Sequence, residues 1–193
     1  MIKSRVLFIG DTEVTKKRGD CTLEEEILRF EKFKSEGINT PEFLGYLDSS
    51  KQIGRFERIN GTHGLPDDEE IYNQRGRIEG TMIRSGFYHP HFSVSFDDTV
   101  LTPDNELYLI DADEQMPITK NGIIIGFYIL DCSEDFQRTL LPSMNQRDML
   151  ERNVSSEMTN SYLRGYQEGL GKPIKVEYGV PSQREIFRRG SLI

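Results

Sequence analysis

Leu107-Tyr108-Leu109-Ile110 is apolar without a break, and Asp111 stands directly behind it. A run of that kind has the composition of a buried strand, and a carboxylate at the point where the chain leaves a sheet projects into a cleft. Upstream, Asp98 precedes a second short strand, Thr99-Val100-Leu101, and Pro103-Asp104-Asn105 supplies the turn between the two. The pair reads as a hairpin, with Asp98 and Asp111 at the same end of adjacent antiparallel strands. Two carboxylates so placed repel each other unless a divalent cation, a lysine or a shared proton lies between them. Mg²⁺ held by one or two carboxylates together with nucleotide phosphates meets that requirement.

The remainder of the chain brackets this hairpin with small elements. Val6 to Ile9 and Glu13 to Lys16 alternate with turn signals, and Thr22 with Glu25 forms a capping-box pattern that opens a helix carrying Leu23, Ile27, Phe30 and Phe33 up to Gly37. Strands are expected over Phe43 to Leu47 and Gln52 to Ile59, joined by Asp48-Ser49-Ser50. The turn-rich Asn60 to Gly64 marks a boundary. A helix follows from Pro66 to Arg84, acidic at its start. Beyond the hairpin the pattern predicts a helix from Gly122 to about Phe136, a loop around Pro142, and one long amphipathic helix from Asn145 to Leu170 stopped by Gly169 and Gly171. The tail reads as a short strand from Ile174 to Tyr178 and a basic helical turn after Pro181. The expected class is α+β, with an N-terminal lobe over 1–62, a C-terminal, mainly helical lobe over 63–172 that contains the segment 88–115, and a basic tail over 173–193.

Composition limits the partners. With 193 residues, 36% of them hydrophobic, the chain can bury a core. A net charge of -8 opposes a broad nucleic-acid surface, because phosphate neutralisation needs clustered cations. No run of about 18 apolar residues suggests a membrane span, and the start reads as a strand rather than a leader, so a cytoplasmic protein is expected. Cys21 and Cys132 have neither a metal-binding nor a disulfide-framework spacing and read as reduced thiols.

The order of these motifs resembles the protein-kinase-like superfamily. A strand with a Lys, a helix with a Glu, "GINTPEFLGYLD", "FERINGT", a helix, "GFYHPH", a hairpin and "LYLIDAD" follow one another from about Gly10 to Leu170. The small, divergent members are the nearest in pattern: the Rio type, the lipopolysaccharide-sugar kinase type and the kinase subunit of the KEOPS complex. "SYLRGYQEGLG" is similar to the final helix of several of them. The resemblance implies a two-lobed minimal kinase-like fold, a small antiparallel sheet with one helix in front, and binding of ATP with Mg²⁺. It assigns the phosphate-anchoring role to Lys16, with Lys17 as the register alternative. Its helix partner is Glu26, with Glu25 one register away, and the metal ligands are Asp111 and Asp98, the latter where the family carries Asn.

Two departures accompany the match. The catalytic Asp of the family's "HGD" loop has no clean counterpart: one register offers Ser93, another His91, and Asp97 would serve only in a rearranged loop. The glycine-rich loop is reduced to Gly10-Asp11-Thr12-Glu13, which offers few backbone N–H groups and two anions. The sequence therefore supports a phosphotransferase of unassigned acceptor with a degenerate catalytic loop, or a non-catalytic pseudokinase-type module that engages a protein through its C-terminal helix and basic tail. A third reading, a metal-dependent hydrolase, places His89 and His91 with Asp97 or Asp98 around a transition metal. "FRRGSLI" at the end also resembles a basophilic phosphorylation site at Ser191.

Overall fold

The computed structural model describes residues 5–17, 22–64, 66–89, 92, 97–112, 116–118, 123–125, 128–130 and 133–182. It is an α+β protein with a small antiparallel sheet. Its contacts divide the chain into two compact units: residues 1–64 with 96–114, and residues 65–95 with 115–193. The hairpin therefore belongs to the same unit as the N-terminal sheet, although the sequence grouped segment 88–115 with the second lobe.

In the first unit, β1 (Arg5–Ile9), β2 (Glu13–Lys17), β3 (Phe43–Tyr46) and β4 (Ile53–Glu57) form one antiparallel sheet in the order β1-β2-β4-β3. Helix α1 (Leu23–Ser35) starts at the expected capping box: Thr22 accepts from Glu25 N–H, and Glu25 returns a carboxylate oxygen to Thr22 N–H at 2.7 Å. Its buried face, Leu23, Glu26, Phe30 and Phe33, follows the helical period, and Phe30 meets Phe56 of β4 edge to face at 5.9 Å. The Asp48 carboxylate accepts from Gln52 and Ile53 N–H and closes the β3–β4 turn.

Two further strands of this unit, β6 (Thr99–Leu101) and β7 (Leu107–Leu109), pair Thr99 to Leu109 and Leu101 to Leu107. Asn105 takes a left-handed φ of 61° in their turn. Thr62 exchanges two 3.0 Å backbone bonds with Leu101, and Leu109 N–H donates to Asn39 O, so the hairpin is tied to the sheet's own connections. The close approach requires Gly61, where a Cβ would overlap the Leu101 carbonyl.

The second unit contains α2 (Glu69–Arg84), β5 (Phe87–Tyr88), β8 (Met116–Pro117), β9 (Ile123–Ile125), β10 (Tyr128–Leu130), a π-helical turn (Phe136–Leu140), α3 (Leu141–Glu151) and α4 (Ser156–Leu170). Helix α2 begins three residues after the expected Pro66, because Asp68 caps it by accepting from Glu70 and Ile71 N–H. Four predictions fail here. The helix expected over 122–136 is the hairpin β9–β10 up to Leu130, as the β-branched run Ile123-Ile124-Ile125 favours. The single helix over 145–170 is two, broken where Asn153 turns left-handed (φ 62°) and Ser155 caps α4. The loop around Pro142 is helical: Pro142 lies in the first turn of α3, and the Arg138 carbonyl that its absent N–H leaves open accepts Lys175 N–H at 2.8 Å instead. No ladder forms over 174–178, which runs beside α3 and gives Glu177 N–H to Ser143 Oγ.

Helices α2 and α4 pack through glycines. A Cβ at Gly76 or Gly80 would overlap the backbone of Tyr162 or Tyr166, and one at Gly165 or Gly169 the backbone of Asn73 or Arg77. Gly171 (φ 71°) ends α4 as expected, whereas Gly169 serves this close crossing. A buried polar cluster lies in the same unit: Glu79 of α2 is fully buried and accepts from Asn145 Nδ2 of α3 at 2.9 Å, while its second oxygen has no partner among the described residues. Arg75 Nε donates to Phe92 O at 3.0 Å, with its guanidinium over the Phe92 ring.

Candidate functional site

Lys16 is the centre of the candidate site. β2 alternates its faces, and Lys16 is 6% exposed whereas Lys17 lies on the solvent side. The Lys16 stem passes between aromatic rings, with Nζ 5.8 Å from the Phe30 centroid and 5.5 Å from that of Phe56. Nζ donates to Glu26 Oε1 at 2.8 Å and to the Ile110 carbonyl at 2.9 Å, and lies 3.6 Å from Asp111 Oδ1. A buried ammonium needs such partners, since an isolated one would lose its hydration without return. Glu26, 1% exposed, is held in place by α1, and Glu25 is engaged in the helix cap. Both register ambiguities of the sequence end here: Lys16 rather than Lys17, and Glu26 rather than Glu25, meet.

Asp111 keeps 27% of its side chain exposed, beside the buried Lys16. Its backbone is gripped on both sides, by Lys16 at Ile110 O and by Arg29 Nη1 at Ala112 O at 2.8 Å. Sequence reasoning missed Arg29. The available signal was its position three residues after Glu26, which puts both on one face of α1. Asp98 is 4% exposed, and its carbonyl accepts Ile110 N–H at 2.9 Å, so the ladder carries Asp98 to the end of the hairpin where Asp111 leaves it.

Gly10 lies in the β1–β2 turn, where its N–H donates to Glu13 O and its carbonyl accepts from Arg58 Nη1. Its N–H is therefore not offered to a phosphate. Asp97 is exposed. His89, 1% exposed, packs edge to face on Phe92 at 5.4 Å. His91 and Ser93 lie outside the described residues, as do Cys21, Cys132, Ser191 and the basic tail residues Arg184, Arg188 and Arg189. Among the described residues no group of three or more His, Cys, Asp and Glu side chains could hold a metal ion, and no helix is long and apolar enough to cross a membrane.

In donor chemistry alone, Asp98 and Asp111 suit a divalent cation that brings further ligands of its own. Asp111 and Asp98 carry the hard carboxylate oxygens that Mg²⁺ takes in ones and twos beside phosphate oxygens. They do not form a cage for a metal alone.

No family model matches this sequence, and no curated protein matches it. Among solved structures the chain is similar to a Legionella pneumophila kinase, Lpg2603, bound to IP6. The two share 14% identity over 98% of this chain and 78% of that one, with a TM-score of 0.45.

Proposed function

We propose that this is a kinase-like protein that binds Mg-ATP at Lys16, Glu26, Asp98 and Asp111. The observation that carries the reading is the buried 2.8 Å pair of Lys16 and Glu26 with Asp111 at 3.6 Å, side chains that lie far apart in the sequence. Glu26 and Ile110 O aim the ammonium, so that Lys16 anchors phosphate oxygens as a fixed point charge. Asp111, supported by Asp98, holds Mg²⁺, which when bound neutralises charge on the phosphates. Arg29 keeps the backbone at Asp111 in register with α1. With the N–H of Gly10 engaged elsewhere, the phosphates depend on Lys16 and the metal rather than on the turn.

Catalysis is a separate matter from binding. Neither Ser93 nor His91 supplies the carboxylate that orients an acceptor hydroxyl, and such a base contributes about 10²- to 10⁴-fold in rate. That substitution favours a second reading, a non-catalytic binding module that retains the nucleotide site and docks a protein through α4 and the basic tail.

Thermal unfolding tests the shared part. ATP with Mg²⁺ at about 100 times the dissociation constant adds about 2.7 kcal/mol of stability, Mg²⁺ alone adds nothing, and Asp111→Asn abolishes the metal-dependent increment. An equal shift in Asp111→Asn, or no shift in the wild type, eliminates the assignment. Phosphate release or transfer in the same samples separates the enzyme from the binding module.

A further inference from the structure

We propose that Glu79 is a proton-controlled switch on the turn after β5: neutral, it leaves the Arg75 guanidinium on Phe92, and ionised, it draws that cation one turn along α2 and frees the turn. All the groups concerned lie in the second unit, so the switch is independent of the nucleotide site. Arg75 is fully buried and grips Phe92 in two ways. Its Nε donates to Phe92 O at 3.0 Å and Nη2 donates to the same carbonyl, while the guanidinium lies 4.5 Å from the centroid of the Phe92 ring. His89 adds its own ring against Phe92, and Phe92 N–H closes the turn on His89 O at 3.4 Å.

Glu79 needs a cation only when it is ionised. Its Oε2 accepts from Asn145 Nδ2 at 2.9 Å, and that nitrogen also reaches the Tyr162 hydroxyl at 3.4 Å. Oε1 is buried and has no partner among the described residues. With a proton on Oε1 the group is neutral and its deficit small, whereas a buried carboxylate short of a donor is costly. The described groups around it come from four elements. α3 presents Asn145, already engaged, and Asp148, an anion that opposes ionisation; α4 presents Tyr162; α2 presents Arg75; and the end of β5 presents His89. Only Arg75 and His89 bring positive charge, and both hold Phe92, so an answer from either loosens the turn. Arg75 is the permanent cation, and its place four residues before Glu79 puts both on one face of α2. The carboxylate offers it two ionised oxygens against one neutral carbonyl. Burial holds the Glu79 proton up to about 7, which sets the change near neutral pH. The proton leaves to solvent, and the guanidinium moves between two discrete acceptors.

Carbonyl NMR of the full chain tests this directly. Phe92-Ser93 is the one Phe-Ser step in the sequence. Labelling phenylalanine at its carbonyl carbon and serine at its nitrogen therefore isolates a single resonance, that of the Phe92 carbonyl. Between about pH 5 and pH 9, about two units to either side of the Glu79 value, it moves upfield in one transition with a midpoint of about 7, as a carbonyl does when it loses donors. Glu79→Gln cannot ionise, so it abolishes the transition and holds the resonance at its acid position. Circular dichroism checks that the chain is folded at each pH. If Glu79→Gln does not fold, wild-type protein labelled at the glutamate carboxyl carbon decides: one carboxyl titrates with the same midpoint as the Phe92 resonance. A Phe92 resonance that stays still or moves downfield overturns the proposal. So does a transition that survives in Glu79→Gln, or the lack of a glutamate that titrates in step with Phe92.

Discussion

Lys16 illustrates how much of a site rests on compensation between single groups. Its ammonium is buried because Glu26 and the Ile110 carbonyl replace its water, and removing one partner leaves a charge without return. Lys16→Met should therefore cost about 3–5 kcal/mol, and the double variant Lys16→Met/Glu26→Gln should recover a large part of it in urea titrations. Recovery of nothing would mean that the pair does not stabilise through its charges. Glu79 shows the opposite case. Burial pushes its carboxyl up to about 7, against the smaller opposing effects of the Asn145 hydrogen bond, Arg75 and His89, while Asp148 adds to the rise. Below pH 4.5 both the folded and the unfolded chain hold the proton. From there to about 7 only the folded chain does, so stability falls as pH rises through this window and is level above it. The loss approaches about 3 kcal/mol, at 1.36 kcal/mol per unit. Glu79→Gln should flatten the profile, which urea melts at pH 5 and pH 8 would reveal.

Among elements, the crossing of α2 and α4 is the tightest contact. Gly76 and Gly80 on one helix and Gly165 and Gly169 on the other let backbones meet where any Cβ would overlap a carbonyl. Gly165→Ala should force the helices apart at about 3 kcal/mol or more, despite alanine's better helix propensity. Gly64→Ala meets open space at φ 99° and should cost only the left-handed strain, about 1 kcal/mol. A Gly165→Ala variant as stable as the wild type would show that the helices separate freely. The caps are smaller contributors: Thr22→Ala removes a capping box and should lower stability by about 1 kcal/mol.

For the whole molecule, the division of the chain matters more than its length. The hairpin that ends in Asp98 and Asp111 lies in the same compact unit as Lys16 and Glu26, so every residue of the candidate site belongs to one unit. Hydrogen exchange with Mg-ATP should then slow amides in β2, α1 and residues 98–112, and leave α2 and α4 at their free rates. Protection centred on α2 and α4 would move the ligand away from Lys16.

Local chemistry was legible along the chain wherever a single element settles its own form. The Thr22–Glu25 box, the Asp48 turn, the β6–β7 hairpin with its terminal carboxylates and the Gly171 stop depend on neighbours a few residues away, and each is where its pattern placed it. Reading erred where a distant group was decisive. Pro142 continues a helix because Lys175 answers the carbonyl it leaves open, and Gly169 packs rather than terminates because α2 lies against it. Lys16 and Lys17 are indistinguishable by composition, as are Glu25 and Glu26. The sequence by itself thus determined which residue types were available for the candidate site and which small elements carry them. Folding selected the members, because burial of an ammonium is tolerable only on the strand face where a carboxylate from α1 and a carbonyl from the hairpin converge.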